Sequence, residues 1–244
     1  IRIISEFQAN YSKWGDKLNK TERINEIFGV RESYQAPDAL MKILYDKARR
    51  ERVFQEMLEL FDYDVTYDWF HEYFQDEHAD RRNKKQDFTP TSVSRLLLAL
   101  IGEDNGMYYE PCAGTGGILI QRWDYDRKKH LPWDYRPSMY VYTVEELSER
   151  AFPFLLFNVM IRGMNAIVIQ CDTISRKSRG AFFIQNDNDD HLQFSNLYRL
   201  PYSDAVANYL AVEWHGEPFE EADKPGELPR HIFGDLTIEQ IKNA

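Results

Sequence analysis

Cysteine is scarce in this sequence of 244 residues, which contains only Cys112 and Cys171. Two cysteines cannot build the disulfide framework of a small secreted domain, so they favour the reducing cytoplasm and packing roles. The chain also lacks an apolar run long enough to cross a membrane, and its N-terminus shows no secretory signal pattern. We therefore expect a cytoplasmic protein with no membrane partner.

Positive charge is also in short supply. The chain has 30 Lys and Arg residues against 40 Asp and Glu residues, for a formal net charge of −10. Because phosphate contact favours basic surfaces, we do not expect this chain to bind nucleic acid on its own. The best basic cluster is Arg81, Arg82, Lys84 and Lys85, in a charged segment typical of a solvated boundary. With 43% hydrophobic and 14% aromatic residues, the chain can still bury a core.

Several common catalytic signatures are missing. No Gly-Lys-Ser/Thr follows the glycine cluster at 114–117, which excludes a phosphate-binding P-loop. No Gly-x-Ser-x-Gly elbow of a serine hydrolase occurs. His71-Glu72 lacks the second histidine of a zinc protease, and the six histidines are scattered. We predict no metal site.

The most informative stretch runs from Met107 to Ile120. An apolar run meets Glu110 and a proline, then a cluster containing Gly114, Gly116 and Gly117, then a second apolar run. This order predicts a strand, a tight glycine turn and a helix. The start of that helix would point free N–H groups at a small anionic or carboxylate-bearing ligand.

Two further strands are predicted downstream of the glycine turn. Residues 139–144 are rich in strand formers and end at Glu145, and residues 166–171 form a second apolar run that ends at Asp172. A helix over 148–162 is predicted between them. This alternation indicates a doubly wound, Rossmann-like α/β fold with a shortened sheet and a ligand site at the carboxyl ends of the strands.

Three domains are predicted from the distribution of these patterns. Residues 1–83 are expected to form a helical domain, 84–215 the α/β domain, and 216–244 an irregular C-terminal tail. One helix is predicted to start after Thr21 as its N-cap and to end at Gly29, and the next carries Pro37 in its first turn. Short strands within 181–185 and 193–200 and a helix over 204–213 complete the α/β region.

The acids at the strand ends narrow the class of ligand. Glu110, Glu145 and Asp172 follow three consecutive strands, and a carboxylate after the second strand suits two vicinal ribose hydroxyls. The nicotinamide fingerprint fits poorly, since its third glycine would fall at Leu119. A nucleoside cofactor that lacks a pyrophosphate and carries an amino-acid tail fits better, and S-adenosylmethionine is such a molecule.

These residues, together with Gln86-Asp87-Phe88-Thr89-Pro90, Asn158, Gly163 and Thr173, resemble the modification (methyltransferase) subunits of type I restriction–modification systems. That family consists of adenine-N6 DNA methyltransferases. The resemblance covers residues 84–174 and implies a helical N-terminal domain before a methyltransferase domain that binds S-adenosylmethionine. It also implies DNA methylation guided by a separate specificity subunit, with homo-oligomer formation left open.

The resemblance assigns the cofactor contacts position by position. Phe88, Thr89 and Pro90 would flank the methionine end. Glu145 would hold the ribose hydroxyls and Asp172 the adenine amino group, although either acid could instead cap a helix. The amino and carboxylate groups of the cofactor would be held by Glu110 and by the backbone of Cys112, Ala113, Gly114, Thr115, Gly116 and Gly117.

One departure from the family leaves two hypotheses open. The family's Asn/Asp-Pro-Pro-Tyr/Phe motif is absent, and its nearest counterpart is Arg199-Leu200-Pro201-Tyr202. Tyr202 and Pro201 are the candidate catalytic residues, because Tyr202 can stack on a flipped base. Arg199 cannot accept a hydrogen bond from the target amino group. The chain is therefore either an active adenine-N6 methyltransferase or a catalytically degenerate relative that acts as a cofactor-binding, regulatory or interaction module.

Overall fold

The computed structural model describes residues 20–71, residue 73 and residues 107–223. Among its helices are α1 (20–28), α2 (Ala36–Tyr45), α3 (Lys47–Leu60), α4 (Gly117–Arg127), α5 (Phe152–Ile161) and α6 (Asp204–Leu210), and residues 70, 71 and 73 are also helical. Short 3-10 helices span Ser33–Gln35 and Pro137–Met139. The strands are β1 (Met107–Glu110), β2 (Val141–Glu146), β3 (Ala166–Cys171), β4 (Lys177–Gln185), β5 (Asn196–Arg199) and β6 (Glu213–Trp214). None of the helices in these ranges has the length and hydropathy needed to cross a bilayer.

The helical region follows the local signals of the sequence. Gly29 ends α1 with a φ of 73°, as predicted, but Thr21 lies inside that helix rather than at its N-cap. Pro37 lies in the first turn of α2, where its missing N–H is tolerated. The Asp46 side chain caps α3 by accepting a hydrogen bond from the Arg49 N–H at 3.1 Å.

The strands form one sheet in the order β1-β2-β3-β4-β5. β1, β2 and β3 are parallel, β4 and β5 follow as antiparallel neighbours, and β6 pairs in parallel with the start of β4. The predicted Rossmann-like α/β class is confirmed, and the sheet is short in the described part of the chain. The carboxyl ends of β1, β2 and β3 meet at one border, which we call the carboxyl edge.

Side-chain alternation divides the sheet into two faces. On the first face, Tyr108, Tyr142 and Val168 pack with α4 and α5 in the main core. On the second face, Ile167 and Ile169 pack against α6 through Val206 and Leu210. The side chains of consecutive residues in one strand therefore lie on opposite faces of the sheet.

The helical region and the sheet share one hydrophobic core. All ten residues of α5 are buried, because this helix lies between the sheet and the N-terminal helices. The Phe157 ring lies 4.8 Å from that of Phe54 and 5.1 Å from that of Phe70. The predicted domain boundary at residue 83 lies outside the described residues, so the division into three domains stays a prediction.

Several predicted elements have different limits in the structure. The helix predicted over 148–162 forms only as α5, because 148–151 make a turn before Pro153. Gly163 follows it with a φ of 64°, and a Cβ there would lie 2.5 Å from the Gln193 carbonyl oxygen. Strand β4 is longer than the predicted 181–185, β5 is shorter than the predicted 193–200, and α6 ends before the predicted residue 213.

Candidate cofactor site

The glycine turn joins β1 to α4 at the carboxyl edge. Cys112, Gly114 and Gly116 adopt left-handed φ values of 61°, 61° and 96°. Gly116 is the N-cap of α4 and has no side-chain cap, so the first N–H groups of that helix are directed at this edge. The Ala113 N–H donates to the Glu145 carbonyl oxygen at 2.8 Å, which docks the turn on the end of β2. The predicted strand, turn and helix are confirmed.

Glu110 ends β1 on the first face, beside the turn. Only 6% of this residue is exposed, and the Tyr108 hydroxyl donates to its Oε2 at 3.1 Å. Burial raises the pKa of Glu110 to about 8, against the lowering effect of the Tyr108 hydrogen bond, and the nearby Glu146 carboxylate raises it further. A buried carboxyl group of this kind is a ready partner for a cationic ligand group.

Glu146 ends β2 on the same face and contacts the turn directly. Its Oε2 accepts the Gly114 N–H at 2.6 Å, and its Oε1 accepts the Ser148 N–H at 2.7 Å. Sequence reasoning assigned no role to Glu146 and named its neighbour Glu145 for the ribose contact. The parallel register of β1 and β2 shows that Glu146 lies on the same face as Glu110. Glu110 pairs with Val144, and side chains two residues apart on a strand share a face.

The Glu145 side chain lies on the second face of the sheet, opposite to the face of Glu110 and Glu146. Its Oε2 and Oε1 accept hydrogen bonds from Arg176 Nη1 and Nη2, both at 2.8 Å, and Thr173 Oγ1 donates to Oε2 at 3.0 Å. Burial acts to raise the pKa of Glu145, but the bonds from Arg176 and Thr173 outweigh it and hold that pKa below its usual value. The predicted ribose contact of Glu145 remains a prediction, and its carboxylate is already committed to an ion pair.

A cavity of about 350 Å³ opens beside this ion pair on the second face. Its lining combines the Glu145–Arg176 pair with two tyrosines and with aliphatic side chains of β3 and α6. The residues concerned are Tyr109, Thr143, Glu145, Ile167, Ile169, Arg176, Tyr209, Leu210 and Ala211. Because no residue of the glycine turn lines it, this cavity is separate from the turn.

Asp172 follows β3 at the carboxyl edge. Its Oδ1 accepts the Ile174 N–H and its Oδ2 accepts the Ser175 hydroxyl, both at 2.9 Å. These hydrogen bonds, led by that from Ile174, lower the pKa of Asp172. Thr173 Oγ1 lies 3.9 Å from the Cys112 Sγ, so the turn that carries Asp172 lies beside the glycine turn.

Asn158, on α5, contacts the glycine turn from the protein interior. Its Nδ2 donates to the Thr115 carbonyl oxygen at 2.7 Å and to Asp68 Oδ1 at 2.8 Å. Asn158 is fully buried, and Arg162 Nη1 donates to its Oδ1 at 2.8 Å. This residue therefore fixes the turn and has no exposed surface of its own.

The candidate catalytic residues Pro201 and Tyr202 lie beyond β5, and β2, β3 and β4 separate that strand from β1. The Tyr202 ring stacks on Trp214 with centroids 4.7 Å apart, and its hydroxyl donates to the Gly216 carbonyl oxygen at 3.0 Å. Arg199 donates to the Phe219 carbonyl oxygen at 2.8 Å and pairs with Glu221. The segment thus anchors residues 214–221, and its catalytic role stays a prediction.

Other predicted site residues have no structural account. Phe88, Thr89 and Pro90 lie outside the described residues. Within the described ranges, no group of three or more His, Cys, Asp or Glu side chains is arranged to hold a metal ion.

Comparison with known proteins adds family membership to this geometry. Residues 63–205 match the sequence profile of the family described as N-6 DNA Methylase, and none of the curated proteins matches the chain. The matched range contains the glycine turn, both acids at the end of β2, α5 and Asp172, and it covers more than half of the chain. This protein therefore belongs to the N-6 DNA methylase family.

Proposed function

We propose that this chain binds S-adenosylmethionine at the glycine turn, as the cofactor-binding part of an adenine-N6 DNA methyltransferase. One observation carries the proposal. Two buried carboxyl groups, Glu110 and Glu146, flank a left-handed glycine turn whose helix begins without a side-chain cap. The turn therefore combines acceptors for a cation with donors for an anion.

The residues present fit the chemistry of this cofactor. Its methionine tail carries an ammonium group, which suits Glu110, and a carboxylate, which suits the N–H groups at the start of α4. We assign the ribose hydroxyls to Glu146 rather than to Glu145, because Glu146 contacts the Gly114 N–H while Glu145 is held by Arg176. Asp172 is the proposed adenine contact. When bound, the cofactor supplies a methyl group on a cationic sulfonium.

The protonation state of Glu110 should change when the cofactor binds. With a pKa of about 8, its carboxyl group is mostly protonated at neutral pH in the free protein. An ammonium group favours the ionised form, so binding would release a proton from Glu110. The two acids also disfavour an anionic ligand at the same position.

The DNA side of the reaction needs a partner. The net charge of −10 opposes DNA binding by the chain alone, so we propose that it acts like a type I modification subunit, with a separate subunit that recognises DNA. The target adenine must leave the duplex to reach the cofactor. Stacking of that base on Tyr202 would require Tyr202 to leave Trp214.

A second candidate function is a cofactor-binding module without methyl transfer. The observation that favours it is the placement of Arg199, which binds the Phe219 carbonyl oxygen and Glu221 instead of facing the glycine turn. In addition, β2 is the only neighbour of β1 among the described strands. Among the described strands, the segment from Arg199 to Tyr202 is therefore separated from the turn by β2, β3 and β4.

Two measurements separate these candidates. Calorimetric titration with S-adenosylmethionine should give binding to the wild type, a loss of about tenfold or more in Glu146→Gln, and a smaller loss in Glu145→Gln. Equal losses, or a larger loss in Glu145→Gln, would return the ribose contact to Glu145. No binding at millimolar cofactor would overturn both functions.

Methyl transfer to unmethylated DNA is then assayed with radiolabelled cofactor, with and without a type I specificity subunit as the DNA-recognition partner. Transfer that requires the partner supports the enzyme. Cofactor binding without transfer, in the presence of that partner, supports the module.

A further inference from the structure

Asp68 links the helical region to the glycine turn through a buried hydrogen-bond network. It is a buried carboxylate that accepts a hydrogen bond from the Thr115 hydroxyl, one from Asn158 Nδ2 at 2.8 Å, and one from the Phe70 N–H at 3.0 Å. Burial raises the pKa of Asp68, and the bond from Thr115 is the largest of the contributions that oppose this. A buried acid is kept in such a place only where donors surround it.

The segment that carries Asp68, residues 64–70, is held by α4 and by the C-cap residue of α5. Arg162, which directly follows α5, donates to the Val65 carbonyl oxygen at 2.8 Å and to the Tyr67 carbonyl oxygen at 2.7 Å. Gln121 of α4 donates to the Thr66 carbonyl oxygen at 2.7 Å. Side-chain hydrogen bonds therefore hold this segment, which we call the platform, in a fixed position against the turn.

Thr115 is the point where this platform reaches the turn. Its side chain is fully buried, and it lies between Gly114 and Gly116, which both have left-handed φ values. Glycine is permissive in both signs of φ, so a turn rich in glycine needs an anchor to hold one conformation. The Thr115 hydroxyl bound to Asp68, and the Thr115 carbonyl bound to Asn158, supply that anchor.

We propose that Asp68 is a positioning residue for the cofactor site, which acts through Thr115 to hold the glycine turn in its binding conformation. This inference rests on the proposed binding of S-adenosylmethionine. Preorganised N–H groups bind a carboxylate more tightly, because the turn does not have to be ordered on binding. Loss of the Asp68–Thr115 bond should therefore weaken contacts to the methionine tail and spare contacts to the nucleoside.

The first test uses Thr115→Val, which removes the hydroxyl and keeps the branched shape, and Thr115→Ser, which restores the hydroxyl. Dissociation constants are measured for S-adenosylmethionine and for methylthioadenosine, which lacks the amino-acid tail. In Thr115→Val we expect the affinity for S-adenosylmethionine to fall about tenfold and that for methylthioadenosine to change less than about twofold. Thr115→Ser should recover most of the affinity for S-adenosylmethionine that Thr115→Val loses. Equal losses for both ligands, or no loss for S-adenosylmethionine, would overturn the proposal.

The second test needs no ligand. Hydrogen exchange of the amides in 114–117 should speed up about tenfold in Thr115→Val and in Asp68→Asn, with the strands unchanged. The control is Asp64→Asn in the same segment, since the Asp64 carboxylate accepts local bonds from the Thr66 N–H and hydroxyl. Should Asp68→Asn fail to fold, Thr115→Val carries the test.

These outcomes separate the two proposals. A wild type that binds neither ligand refutes the proposed function, and hydrogen exchange then decides the positioning role by itself. Unchanged exchange at the turn in folded Thr115→Val refutes the positioning role, whether or not the cofactor binds.

Discussion

Glu145 and Glu146 are neighbours in the chain, yet their carboxylates serve opposite faces of the sheet. Glu145 forms a two-point ion pair with Arg176, and Glu146 accepts the Gly114 N–H of the glycine turn. The two glutamates therefore have different structural roles. Glu145 secures the β3–β4 turn and the end of α6, since Arg176 also donates to the Ala211 carbonyl oxygen at 2.9 Å. Glu146 belongs to the candidate cofactor site.

Replacing Arg176 should destabilise the fold. Arg176→Ala leaves the buried Glu145 carboxylate without its cation, so we expect the free energy of unfolding to fall by about 2–3 kcal/mol. Arg176→Lys should recover only part of this, because an ammonium group cannot form the two-point contact. Urea unfolding measures both. Arg23→Ala is the control, since its pair with Glu26 is exposed and should contribute less than about 1 kcal/mol.

Glu110 should make stability depend on pH. Its pKa is about 8 in the folded chain against an ordinary value of 4.5, so between these values the folded state binds more protons than the unfolded state. Stability contributed by Glu110 is therefore full below pH 4.5 and is lost as the pH rises towards 8, at up to about 1.4 kcal/mol per pH unit. Urea unfolding across this range should show a shallower fall in Glu110→Gln. An unchanged slope in that variant would contradict the assignment.

Cofactor binding should release protons for the same reason. Because the ammonium group needs an ionised Glu110, affinity for S-adenosylmethionine should rise with pH up to about 8 and then level off. Calorimetry in two buffers of different ionisation enthalpy measures the number of protons released. We expect a value approaching one near neutral pH in the wild type and a value near zero in Glu110→Gln. Equal proton release in both proteins would exclude Glu110 as the source.

The glycine turn should tolerate a methyl group at one glycine and not at its neighbour. Gly116 has a φ of 96°, and a Cβ there would lie 3.0 Å from Leu155 Cδ1, so Gly116→Ala should cost about 1–2 kcal/mol. Gly117 starts α4 and has no atom within 4 Å of an added Cβ, so Gly117→Ala should be neutral or slightly stabilising. Thermal unfolding without cofactor compares them directly. Equal costs would mean that the left-handed turn is not formed.

Local signals in the sequence were sufficient to predict the Rossmann-like class and the glycine turn. An apolar run, an acid, a glycine cluster and a second apolar run lie within a few residues of one another, and each constrains its own backbone. The same holds for β2, β3 and the helix between them. For this reason Glu110, the glycine turn and Asp172 were identified as carboxyl-edge residues without knowledge of any contact.

Tertiary structure alone decided which acid at the end of β2 faces the turn, since only strand register and the Arg176 contact separate Glu145 from Glu146. It also revealed Asp68, which meets Thr115 across 47 positions and Asn158 across 90. Contacts of that separation leave no periodic trace in a single sequence, because each partner alone is an ordinary polar residue. The local sequence thus determines the conformation of the glycine turn. The contacts that fix the turn, from Asp68 and Asn158, depend on how the helical region packs against it.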